Sequence, residues 1–143
     1  MILHHIGVLV SDIEESTQYY CGAFGYEVVS DIVEDRVHTA AIRFLKLASA
    51  KEYLELVSPL GENSKLSNAL KKSSPLHHLC YQVRNIYAEL EKLRGFGFFV
   101  LHEPVNAAAF PDRKIAWCMD AKKNLIELVE RGDDENAPLF IKD

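Results

Sequence analysis

The sequence predicts an α+β fold made of two tandem βαβββ modules, and three observations predict it. Landmarks recur in order: HIGVLVSDI from His5 returns as HLCYQVRNI from His78, FGY from Phe24 returns as FGF from Phe96, and LELV from Leu54 returns as IELV from Ile126. The glycines fall 20 and 19 residues after their histidines, and the glutamates 50 and 49 residues after them. The resulting period of 72 to 73 residues is longer than a solenoid repeat, so it marks a duplicated module. The second observation is period-two alternation around each landmark, the signature of strands. The third is a capping residue just after the first strand, Ser11 or Asp12, followed by apolar residues at helical spacing.

The elements follow in order. A strand is expected over 3–10. Ser11 or Asp12 then caps a helix from Ile13 to about Ala23, which carries Ile13, Thr17, Tyr20 and Phe24 on one stripe. Gly22 or Gly25 stops it. Strands are expected over 26–32, 37–47 and 52–58, completing a first module at 1–58. A connector at 59–75 is rich in Ser, Asn, Gly and Lys and has a short helical piece at 66–71. The second module, 76–130, repeats the plan: strand 76–83, helix 86–94, then strands 98–101, 114–119 and 125–130. Its loop from Glu103 to Arg113 holds two prolines and an alanine run. The tail, 131–143, opens acidic, and its Pro138–Ile141 piece is a candidate extra edge.

Bulk properties narrow the function. With 143 residues, 48% hydrophobic, the chain can bury a sizeable core. A formal charge of −5 disfavours nucleic acid as a partner. The sequence contains no apolar run of membrane-spanning length, so no membrane partner is expected, and MILHHIGVLV has no basic n-region, so no signal peptide is expected. Cys21, Cys80 and Cys118 form no CxxC and suit a reducing cytoplasm.

Alternation places chemistry on one side of these strands. His5, Glu55, His78 and Glu127 each lie opposite flanking aliphatic residues that pack under the helices. If the sheets curl, the four polar faces converge on one cleft. A lone strand histidine is more often packed or solvated than ligating. Yet a glutamate inside an apolar run such as YLELV or LIELV is costly to bury without a counter-charge. Lys51 or Lys123 could supply that charge. One divalent cation would serve both glutamates, and two imidazoles with two carboxylates suit Zn, Ni, Co, Fe or Mn.

HHIGVLVSDIEESTQYYCGAFGY, SPLHHLCYQV and NLIELVE resemble the vicinal-oxygen-chelate, or glyoxalase-like, superfamily, over residues 3–130. The segment LELVSPLGENSKLSNALKK followed by PLHHLCYQV looks like its methylmalonyl-CoA epimerase subgroup. The resemblance implies paired modules forming a curved mixed sheet around a metal cleft, with His5, Glu55, His78 and Glu127 as the metal ligands. It implies an isomerase or lyase that moves a proton next to a carbonyl through a metal-bound enolate. Glu127 is the first choice of acid/base and Glu55 the second. The expected substrate is a small molecule, an acyl-CoA or other acyl thioester. The cleft can be completed within one chain or across two, and a homodimer is the expected assembly.

Two departures from the epimerase pattern stand out. The strand TAAIRFLKL has no Asp or Glu where some epimerases carry a second carboxylate. The second base is then Glu55, or one base acts, or the reaction differs. The segment WCMDAKKNLIELVE also lacks the histidine-proline and double-glycine run common in those epimerases. The rival readings are a metabolite- or antibiotic-binding resistance protein, a thiol transferase, and an extradiol-type dioxygenase. Retention of four ligand-type residues disfavours the first and the last. Candidates for substrate contact are His38, Arg43 and Lys114, with Lys46 and Arg113 as further cations. His4 and His77 are read as structural, and Trp117 as core or cleft wall.

Overall fold

A computed structural model describes residues 1–72 and 74–131. The acidic tail and its Pro138–Ile141 piece lie outside the described residues. Among these there are ten strands and three helices, a mixed α+β chain. No helix among them is long and apolar enough to cross a membrane. The chain divides into two compact units, residues 5–77 and residues 1–4 with 78 onward.

β1 (Ile2–Leu9), whose residues from His5 on belong to the first unit, leads to α1 (Ile13–Phe24). The Asp12 side chain accepts the Glu15 N–H at 2.8 Å, satisfying one orphan donor of the first turn. Gly25 ends the helix at φ 76°, a left-handed turn that glycine adopts without a Cβ clash. Four strands follow: β2 (Glu27–Val28), β3 (Val33–Asp35), β4 (Ala40–Lys46) and β5 (Tyr53–Pro59). They are ordered β2-β4-β5-β1, with β3 also on β4. β5 runs parallel to β1 and antiparallel to β4. The connector holds one short helix, α2 (Ser67–Leu70).

The second unit repeats this order. It has β6 (Leu76–Val83), α3 (Ile86–Gly95), β7 (Phe99–Val100), β8 (Val105–Asn106), β9 (Lys114–Met119) and β10 (Leu125–Glu130). Asn85 caps α3 through the Ala88 N–H at 3.0 Å. The order is β7-β9-β10-β6, with β8 also on β9, and β10 runs parallel to β6.

Each unit has its own core under its helix. In the first, Leu45, Leu54 and Leu56 pack with Val8, Val10, Tyr20 and Tyr26. In the second, Val83, Ile86, Leu90, Ala116 and Leu128 pack with Tyr81, Leu93, Val100 and Ile126. Truncating a fully buried leucine of this kind to alanine costs about 2–5 kcal/mol. These cores fix which face of each strand is left for polar side chains.

The structure adds one feature per module to the predicted plan. The expected strand at 26–32 is interrupted, with β2 and β3 both pairing to β4 along one edge. The loop at 103–113 likewise holds β8, so β7 and β8 both pair to β9. Between the pairs Val28–Leu45 and Val33–Ile42, four edge residues (29–32) stand against two, Arg43 and Phe44. Between Val100–Cys118 and Val105–Ile115, four (101–104) stand against Ala116 and Trp117. Extra residues of this kind bend and twist an edge strand, which shields it from pairing with another chain.

Candidate functional site

Register decides where the landmark side chains meet. On the β1–β5 pair Gly7 is opposite Glu55, so His5 lies two residues earlier and diagonal to that glutamate on the same face. On the β6–β10 pair Cys80 is opposite Glu127, and His78 stands in the same diagonal relation. The two modules therefore build one arrangement twice.

The side chains follow. His5 Nε2 lies 3.4 Å from Glu55 Oε2, and His78 Nε2 lies 3.3 Å from Glu127 Oε2. All four residues are buried, with no more than 4% of their surface exposed. Burying an ionised carboxylate is expensive unless a cation or several donors face it.

The spacing also fits metal ligation. Two donors each about 2.1 Å from one ion lie about 3.0 Å apart at a right angle and about 3.4 Å apart at the tetrahedral angle. Each histidine–glutamate pair has that separation, and each offers one imidazole nitrogen and one carboxylate oxygen. The donor set of each unit thus fits a borderline divalent ion.

Each pair has an aromatic wall; Trp117 is the residue expected as core or cleft wall, whereas Phe44 carried no such expectation. Phe44 is opposite Glu55 on β4, and its ring meets the His5 imidazole edge-on at 5.2 Å and 76°. Trp117 is opposite Glu127 on β9, and its ring meets His78 edge-on at 4.6 Å and 77°. A signal for this existed, because each aromatic residue follows its histidine by 39 positions. The residue types differ and the flanking sequence RFLKL shares little with AWCMD, so identity alone hid the match.

The expected substrate contacts go elsewhere within their own units. Arg43 sits next to Phe44 and so points to the other face of β4. There its guanidinium donates to Glu14 Oε2 at 3.0 Å and to Thr17 Oγ1 at 3.3 Å, both on α1. Lys114, three residues before Trp117, lies on the α3 side of β9 and donates to the Tyr87 hydroxyl at 2.7 Å. That bond holds the Lys114 ammonium above its usual range. Both cations therefore brace helices against strands. His38 closes the β3–β4 turn, with Nδ1 2.7 Å from Asp35 Oδ2 and its backbone N–H on Asp35 Oδ1 at 3.0 Å. Lys46 lies over the Tyr53 ring, and Arg113 donates to the Glu130 carbonyl at 3.2 Å. Cys118 is on the helix side of β9, and burial pushes its thiol up to about 11, which favours the protonated form.

The sequence model of the Glyoxalase/Bleomycin resistance protein/Dioxygenase superfamily matches residues 4–117. The chain belongs to that superfamily. The matched span contains His5, Glu55 and His78 and ends ten residues before Glu127, which the duplicated register supplies. Among superfamily relatives, the ethylmalonyl-CoA/methylmalonyl-CoA epimerase of Cereibacter sphaeroides is 33% identical over 101 residues, 69% of this chain and 73% of that protein. The mitochondrial methylmalonyl-CoA epimerase of Homo sapiens is 31% identical over 109 residues, 75% of this chain and 60% of its own length. The crystal structure of methylmalonyl-CoA epimerase from Mycobacterium tuberculosis matches with a TM-score of 0.79 at 25% identity, covering 90% of this chain and 86% of that one. This superfamily member thus shares fold and sequence with epimerases of acyl-CoA esters.

Proposed function

We propose that the chain is a metal-dependent epimerase of an acyl-CoA substrate, moving a proton on the carbon next to the thioester carbonyl. The observation that carries this reading is the register-matched, buried histidine–glutamate pair in each unit. The epimerase relatives support the choice of reaction over the lyase chemistry also found in the superfamily. In this reading His5, Glu55, His78 and Glu127 together hold one divalent ion.

The ion, when bound, supplies a Lewis acid for the negative charge that develops on the carbonyl oxygen. The residues of the chain do the rest. His5 and His78 present Nε2 as neutral donors. Glu127 takes the proton from carbon, since an ionised carboxylate is an acceptor and this one is buried, 4% exposed. Glu127, once protonated, can return that proton to carbon; Glu55 is the second carboxylate, and it can deliver a proton only after taking one up from solvent. The residue opposite it on β4 is Phe44, which is apolar, so that strand contributes no acid or base there.

Two measurements test the proposal. Protein purified without added metal is expected to carry about one equivalent of a divalent ion, and His78→Ala very little. In deuterated water the protein should catalyse exchange at C2 of methylmalonyl-CoA, followed by proton NMR. Glu127→Gln should slow that exchange by about 10²–10⁴-fold while still binding metal. Exchange at the uncatalysed rate by metal-replete parent protein rejects the substrate assignment.

A further inference from the structure

We propose that Phe44 and Trp117 are positioning residues, each fixing the ring plane of the neighbouring histidine so that Nε2 points at its glutamate. This rests on the proposed ligand set and deepens it.

An imidazole on a strand turns about two side-chain torsions, and its flat ring can present either nitrogen. A ligand histidine needs one ring plane and one nitrogen. His5 and His78 both show Nε2 toward a carboxylate oxygen, at 3.4 and 3.3 Å. In both, an aromatic ring meets the imidazole nearly perpendicular, at 76° and 77°. The perpendicular ring blocks rotation about the last torsion and offers the edge-to-face contact that aromatic rings favour.

The backbone holds each wall in a matching way. Phe44 and Trp117 face the split in their edge strands, where four residues stand against two. Val29 N–H donates to the Phe44 carbonyl at 3.0 Å, and Leu101 N–H donates to the Trp117 carbonyl at 2.8 Å. The donors, like the splits, occupy equivalent places in the two modules. On the first wall the Phe44 N–H also donates to Ser30 Oγ at 2.8 Å, inside the split. Bulges beside active sites re-aim side chains in this way. The wall position stays aromatic in both modules, while its immediate neighbours Arg43 and Ala116 differ in size and charge.

The test is cobalt binding, read by visible absorption and by competition with a chromophoric chelator. Trp117→Leu and Phe44→Leu should each weaken Co²⁺ by about tenfold, as loss of a ligand-orienting partner does, and should shift the cobalt absorption band. Trp117→Phe should restore both, because it keeps a ring at the wall. Leu90→Ala, in the core on the helix side, should lower thermal stability and leave the band unchanged. Unchanged affinity and band in Trp117→Leu overturn the inference, as does a Leu90→Ala band that shifts equally. Should Trp117→Leu fail to fold, Phe44→Leu and Trp117→Phe decide by the same criteria. A parent protein that takes up no Co²⁺ rejects the ligand set and this inference with it. A parent that binds while the leucine variants match it rejects the inference alone.

Discussion

At the scale of residues, the structure shows several polar groups that brace one element against another. Asp35 braces. Burial alone would raise its carboxyl, but hydrogen bonds from the His38 ring and backbone outweigh this and hold it below the ordinary value. A carboxyl depressed on folding stabilises the fold fully above its unfolded value, about 3.9, and loses that contribution as pH falls through the lower folded value. Asp35→Asn should therefore destabilise the protein at pH 6, with the gap to the parent narrowing below about pH 3.9. Urea midpoints at pH 6, 4 and 3 check this, and a gap that widens on acidification contradicts it. Arg43 shows what strand parity adds at this scale. A cation on a strand that lines a site reads as a substrate contact, yet strand parity turns it toward Glu14 and Thr17 of α1. Parity is legible in the sequence only once one residue of the strand has a known face, and Phe44 against His5 provides that reference.

At the scale of elements, local chemistry explains most boundaries. Asp12 caps α1 as its position predicts, and Asn85 caps α3 in the same way, each accepting from the N–H three residues on. Asp12→Ala and Asn85→Ala should each cost about 1 kcal/mol, read as a lower urea midpoint at unchanged slope. A cost below about 0.3 kcal/mol for both would show that packing, not capping, sets these ends. Strand β9 is found where alternation places it, and β10 likewise. The split edge strands were not legible. Period-two alternation locates a strand but carries no mark for two inserted residues, and the insertions are defined only by what β4 and β9 present opposite them. The histidine–glutamate landmarks were legible because a repeat preserved both residue type and spacing. Their aromatic walls kept spacing but not type.

At the scale of the molecule, the proposed ligands come half from each compact unit. Any ion that binds only the folded chain stabilises it by mass action, by about 2.7 kcal/mol at a free concentration one hundred times Kd. A thermal melt in excess metal should rise accordingly, and a chelator should reverse the rise. His5→Ala and His78→Ala distinguish two cases. If one ion draws on both units, either substitution removes most of the shift. If each pair holds its own ion, each variant keeps about half the stoichiometry, and the shared four-residue site is wrong.

The sequence by itself determined the repeated landmarks, the cap of the first helix, and the type and spacing of the four residues proposed as ligands. Local rules sufficed for these, because caps, alternation and repeat spacing are properties of neighbours along the chain. Tertiary structure alone decided that Glu55 and Glu127 each meet a histidine through the same diagonal register. It also decided that Phe44 and Trp117 wall those histidines, and that Arg43 and Lys114 bond to side chains of the helices. Those outcomes depend on which strands pair and in what register, and pairing between residues dozens of positions apart is fixed by the packed cores rather than by any local pattern.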